Sequence, residues 1–262
     1  MKRISEKINS LIQLFNNGEK QKAVSQVNSL LDNNKKNKDL LFLSAKMYIG
    51  LNQIDKANHN ILKILNLDEN NSEALELIYV NYLKNNKYLL AEKYIDKLLF
   101  VGIKKYEVLR DKAFVEYLKK NYNNSEKIIN KALKINSNDT FGQNILGLIR
   151  IEKKDISGAI KIFKKAILIN PKYADSYNNI GKCLIDTENL NQAYIFFKKS
   201  YKINPKSELP LINIANILSL KDKNKLAIKF YKKAKKINPN NKLADENIFI
   251  CNCRLKNFDW IE

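Results

Sequence analysis

Arginine, histidine, tryptophan, cysteine, glycine and proline are all scarce in this chain, and each shortage excludes something. Of 47 basic residues only Arg3, Arg110, Arg150 and Arg254 are arginine, so the bidentate phosphate and guanine contacts that arginine supplies are largely missing. The single histidine, His59, lies between Asn58 and Asn60 and reads as a surface residue without a catalytic or metal-ligating partner. Seven glycines and four prolines in 262 residues leave little room for linkers. The three cysteines are an odd number, which points to a reducing compartment and a cytoplasmic location. Cys251 and Cys253 form a C-x-C pair, but two positions on a helix point about 200° apart and cannot share one metal. No apolar run approaches the length of a membrane span, and Glu6, Lys7, Asn9 and Ser10 interrupt any signal peptide begun by Lys2 and Arg3. Strand-like alternation is missing too. There is no phosphate-binding loop and no nucleophile elbow. No catalytic residue, metal site or cofactor is expected.

What is present is a period. In residues 174–207, Tyr177, Ile180, Gly181 and Leu184 make one helical stripe, Ala193, Phe197 and Ser200 make a second, and Asn204-Pro205 stops it. Steps of 34 from Ala193 reach Ala159, Ser125, Ala91, Ala57, Ala23 and Ala227, all small. The stop position runs Asn34, Asp68, Gly102, Asn136, Asn170, Asn204, Asn238, residue types that tolerate a left-handed helix C-cap. Pro171, Pro205 and Pro239 keep the same spacing. This frame resembles the tetratricopeptide repeat, W-x2-L-G-x2-Y…A-x3-F…P, with Tyr177, Ile180 and Leu184 for the first pattern's bulky residues. The resemblance implies an all-α, right-handed superhelical solenoid. Seven hairpins are expected at 4–37, 38–71, 72–105, 106–139, 140–173, 174–207 and 208–241, in one domain over 1–262.

Departures from the frame carry their own expectations. Tyr79 stands where Gly181 stands three repeats later, and should splay its hairpin or lean into a gap beside Ala91. Such irregularities predict less stability in the early repeats than in the regular block from Gly147 to Ala215. The helix 242–256 should cap the array through Leu243, Ile248, Phe249 and Leu255, with Asn252, Arg254 and Lys256 facing away. Phe258, Trp260 and Ile261 then form an apolar end. Cys253, Asp259 and Trp260 are similar to the segment that follows the repeats in bacterial relatives of O-linked N-acetylglucosamine transferase. That likeness implies an alternative, a substrate-recruiting arm with a catalytic domain beyond residue 262.

The net charge of +20 comes mostly from lysine in a chain rich in asparagine and isoleucine, the bias an AT-rich genome imposes on a tolerant surface. A lysine ladder at Lys63, Lys97, Lys131, Lys165, Lys199 and Lys233 sits just before helix ends, where the helix dipole favours cations. Both facts favour a solvated basic surface over a nucleic-acid or anionic-membrane surface, and leave a weak basic nucleic-acid binder as a third reading. The first helices are more specific. In arrays of this kind their second, fifth, sixth, ninth and thirteenth residues resemble a groove lining, which here holds Asn144, Asn178, Asn179, Lys182, Asn213, Asn216 and Asn247. A stepped carboxamide row can pair with both backbone groups of an extended peptide, and it looks like the asparagine ladder of the same transferase arms. The fifth/ninth pairs, including Ile8/Ile12 and Phe42/Lys46, do not match the carboxylate clamp of chaperone-binding repeats. The expected partner is therefore a protein or extended peptide held in the concave groove. Oligomeric state is open.

Overall fold

The computed structural model describes residues 2–103 and 105–258, and among them every regular element is an α-helix. There are two compact units, Met1–Val115 and Glu116–Glu262. The first contains α1 (Lys2–Asn16), α2 (Lys20–Asn33), α3 (Lys38–Gly50), α4 (Ile54–Leu67), α5 (Ser72–Lys84) and α6 (Tyr88–Phe100), and the division falls within α7 (Tyr106–Leu118). The second contains α8 (Tyr122–Ile135), α9 (Thr140–Glu152), α10 (Ile156–Ile169), α11 (Ala174–Asp186), α12 (Leu190–Ile203), α13 (Leu209–Leu220), α14 (Asn224–Ile237) and α15 (Lys242–Phe258). Within each unit consecutive helices pair as hairpins, and each hairpin packs on the next. From Lys38 onward the first helices start 34 residues apart, at Ser72, Tyr106, Thr140, Ala174 and, after Leu209, Lys242.

Close approach inside a hairpin explains the small residues. A methyl group built on Gly147 would lie 2.4 Å from the Phe163 ring, and one on Gly181 would lie 2.5 Å from the Phe197 ring. The glycine admits the ring, and both phenylalanines are fully buried. Tyr79 reverses the arrangement without splaying the hairpin: α5 packs on α6 as the other pairs do. The second helix carries the smaller Ile95 where Phe163 and Phe197 stand, and Tyr79, Ala91 and Ile95 share one buried cluster. Volume has moved from one helix to the other, which cores tolerate well. Ala91 is fully buried beside them.

The helix ends also differ from expectation. Asn136, Asn170, Asn204 and Asn238 end their helices with φ between −137° and −126°, not left-handed; of that series only Gly102 has positive φ. The asparagines act through their side chains instead. Asn136, Asn170 and Asn204 each accept, through Oδ1, the backbone N–H two residues on, at 3.0–3.2 Å. The left-handed residues sit in the turn inside each hairpin, at Gly18, Asn52, Asn86, Lys120, Lys154, Glu188 and Asp222, also 34 apart. There the N–H after the left-handed residue reaches back to the preceding helix, as Asn189 does to the Leu184 carbonyl at 2.8 Å.

α15 buries a different face from the one expected. Ala244 and Cys251 are buried, Asn247 and Ile248 are half-buried, and Arg254 donates to the Ser219 Oγ at 3.1 Å rather than facing away. Leu243 and Phe249 are exposed, Phe249 by 69%. The helix keeps the repeat's frame, so its third and tenth residues pack on the preceding hairpin. Its eighth, Phe249, points where other hairpins place their second helix, and no described residue covers it. The side chain of Phe258 and residues Asp259, Trp260 and Ile261 lie outside the described set.

Candidate functional site

The predicted asparagines do come together, but by pairing with one another. Asn179 donates to the Asn144 Oδ1 at 3.0 Å, Asn213 to the Asn178 Oδ1 at 3.0 Å, and Asn247 to the Asn216 Oδ1 at 3.4 Å. Each bond links the first helix of one hairpin to that of the next. The fifth residue accepts and the sixth residue of the following hairpin donates. In the hairpin 208–241 the fifth residue is Ile212, and α15 pairs with the ninth, Asn216, instead. Asn144, Asn178 and Asn179 are no more than 7% exposed, so this part of the row is an internal rail. Asn213, Asn216 and Asn247 are half-buried and Lys182 is exposed; these four reach the surface. Asn216 also accepts from the Tyr231 hydroxyl at 2.5 Å, and burial pushes that phenol up to about 12.

The first unit holds a second polar network that sequence reading missed. Asn28 on α2 donates to the Tyr48 hydroxyl at 2.8 Å and accepts from Ser44 at 3.2 Å; Asn60 on α4 donates to Ser44 at 3.0 Å. Asn81 donates to the Asn58 Oδ1 at 3.1 Å. Ser44 occupies a place that is apolar in the regular block, and that polar residue at a core position was the available signal. Tyr79 hydrogen-bonds Asp111, and burial with the Asp111 and Glu76 charges raises its phenol well above the usual range.

A cleft of about 560 Å³ opens on the first helices of this unit. Ile4, Ile8 and Ile12 of α1 face Phe42 and Leu43 of α3 across it, and Asn37, Asp39, Lys46 and Glu73 form its polar edge. Lys46 binds Glu73 at 2.9 Å and lies 5.6 Å from the centre of the Phe42 ring. In the sequence Ile8, Ile12, Phe42 and Lys46 stand out only as fifth/ninth pairs that fail a carboxylate clamp. Their apolar character was the missed signal. His59 lines a shallower cleft of about 440 Å³ with Asn28, Tyr48, Asp55, Lys56 and Asn60. Asp55, one helical turn before it, went unremarked in the sequence.

Among the described residues no group of three or more His, Cys, Asp or Glu side chains is placed to hold a metal, and no helix is long and apolar enough to cross a membrane. Cys183 and Cys251 are buried and Cys253 is exposed, all as free thiols. Burial, with Asp186 nearby, pushes the Cys183 thiol up to about 11.

The family model described as tetratricopeptide repeat matches residues 143–173, 174–207 and 210–241. No curated protein matches the chain by sequence. Among solved structures, a tetratricopeptide repeat protein from Parabacteroides merdae shares the fold at a TM-score of 0.82 and 15% identity, covering 96% of this chain and 99% of its own. A chain of the APC/C hetero-tetramer Cut9–Hcn1 matches at 0.73 and 18% identity over 92% of this chain, which spans 48% of that one. YrrB, a TPR protein with an unusual peptide-binding site, matches at 0.54 and 20% identity over 71% of this chain and 95% of its own. These structures do not show the transferase-arm likeness; of the residues that carry it, Cys253 is exposed on α15 and Asp259 and Trp260 lie outside the described residues. Residues 143–241 carry the tetratricopeptide repeat, and the hairpins before them share the fold of tetratricopeptide repeat proteins.

Proposed function

We propose that the chain is a protein-interaction scaffold that captures a peptide segment on the face formed by its first helices. The observation that carries this reading is the cleft of α1, α3 and α5. Ile12 is 40% exposed at its edge, and an apolar side chain entering the cleft would remove that surface, Ile8 and Phe42 from water. Asp39 and the Lys46–Glu73 pair at the rim favour a peptide whose flanking residues are cationic or amide. In this reading residues 1–262 form one domain of seven hairpins, 4–37 through 208–241, closed by the helix 242–256. Panning the full chain against a random peptide library tests it. Selected peptides should share an apolar anchor beside basic residues, and Ile12→Asp should weaken them at least ~10-fold while the melt is unchanged. Peptides indifferent to Ile12→Asp would remove the cleft from the site.

The amide row of the second unit supports a second reading. Asn213, Asn216 and Asn247 keep amide hydrogens beyond those used in their mutual bonds, next to exposed Lys182. An extended peptide could pair with them with little regard to its sequence. Peptides weakened by Asn213→Ala or Lys182→Ala, yet not by Ile12→Asp, would place capture there. Asn144, Asn178 and Asn179 would serve this site by holding adjacent hairpins in register.

A further inference from the structure

The second helices of the second unit, α8, α10, α12 and α14, turn a face to solvent that is mostly lysine. Their second, sixth, ninth, tenth and thirteenth residues hold Lys127, Lys131 and Lys134; Lys161, Lys164 and Lys165; Lys198, Lys199 and Lys202; and Lys225, Lys229, Lys232, Lys233 and Lys236. All fourteen are exposed. The one carboxylate on the four helices, Glu126, is engaged by Arg150 at 2.9 Å and Lys153 at 2.5 Å. The lysine-rich composition does not produce this arrangement, because the second helices of the first unit carry Asp32, Asp55, Glu92 and Asp96. Nor does the helix dipole, which favours cations only near the C-terminus. Lys225 lies in the first turn of α14, and Lys127, Lys161 and Lys229 lie in the first halves of their helices.

Such a face complements a polyanion, and its other residues indicate which. No arginine stands on it, so bidentate phosphate or base contacts are missing. The aromatic residues of α12 and α14 do not offer open stacking platforms. Tyr194, Phe196 and Phe230 are half-buried, with Lys198, Lys199 and Lys233 over their rings. Two aliphatic side chains stand among the lysines instead, Leu168 at 82% exposure and Ile195 at 52%. Isolated aliphatic groups gain nothing from a nucleic-acid backbone but gain by entering the headgroup region of a bilayer.

We propose that the lysine face of α8, α10, α12 and α14 docks the protein on an anionic lipid bilayer, with Leu168 and Ile195 entering between headgroups. This surface belongs to the second helices and is separate from the peptide-binding faces proposed above, so either can fail alone. The test is co-sedimentation of the full chain with phosphatidylcholine vesicles, with and without about one-third phosphatidylserine. Binding should be at least ~10-fold tighter to the anionic vesicles and should fall with added salt. Replacing Lys225, Lys229, Lys232 and Lys236 together by Gln should cut it a further ~10-fold. Leu168→Asn with Ile195→Asn should cut it ~3-fold or more at unchanged charge. Circular dichroism and melts of each variant check that the fold persists. Equal or absent binding to both vesicles overturns the proposal. So does tighter binding to a DNA duplex that ignores the Leu168→Asn and Ile195→Asn changes, which would assign the face to nucleic acid.

Discussion

At the scale of single residues, the most regular feature is one that side-chain type conceals. The left-handed turn positions hold Gly18, Asn52, Asn86, Lys120, Lys154, Glu188 and Asp222. For residues other than glycine this conformation costs about 1–2 kcal/mol, less for Asn and Asp. Glu188→Gly should therefore stabilise the protein by a few tenths to about 1 kcal/mol, the gain being reduced by the freer unfolded chain. Glu188→Val should destabilise it by about 1 kcal/mol or more, since a β-branched residue fits this region worst. Matched denaturant melts that rank the two variants the other way would show that the turn relaxes. The thiols offer a second check. Cys253 should react with a thiol reagent at neutral pH in the folded protein. Cys183 should stay protected, because its thiol remains protonated until pH approaches about 11 and is buried as well. Rapid titration of Cys183 without denaturant would mean that α11 opens readily.

At the scale of elements, the first helices of the second unit are joined by amide bonds as well as by apolar packing. Asn178→Ala leaves the Asn213 amide without its partner inside a half-buried interface, and a stranded donor costs about 1–3 kcal/mol. A residue that only lined a groove would be lost with little effect on stability; the bonds between hairpins make the expected loss larger. Removing both partners should cost less than the sum of the single changes, with a coupling of about 0.5–1.5 kcal/mol in a double-mutant cycle. Strict additivity would mean that water replaces the bond without loss. The same logic applies to Asn144 and Asn179, which are more deeply buried. Ordering the hairpins through such bonds selects one stacking register, because an apolar surface tolerates sliding that a paired amide does not.

At the scale of the whole molecule, charge dominates. A net charge of +20, with fourteen lysines on one face of four helices, raises the folded state's self-repulsion. Salt should relieve it. The melting temperature should rise by about 2–4 °C between low and physiological ionic strength, the shift about 1 kcal/mol produces in a chain of this size. A fall on adding salt would show that the surface ion pairs, such as Lys38–Asp68 and Lys46–Glu73, outweigh the repulsion. A flat response would mean that the lysines avoid one another well enough for repulsion to be negligible.

The sequence alone carried the helical hairpin and its period. Small residues, stop residues and apolar stripes must recur wherever identical helices pack on one another, and a local pattern suffices to show it. Gly147 and Gly181 were legible for that reason, as sites of close approach. What the asparagines do was not legible. Spacing placed Asn144, Asn178, Asn179 and Asn213 on one face, but only the tertiary structure pairs a fifth residue with the sixth residue of the next hairpin. That pairing depends on how neighbouring first helices are offset, which no single hairpin encodes. The face that α15 buries, the exchange of volume between Tyr79 and Ile95, and the apolar cleft of Ile8, Ile12 and Phe42 follow the same rule. Each depends on what lies opposite a residue in space, and a one-dimensional pattern states only what lies beside it along the chain.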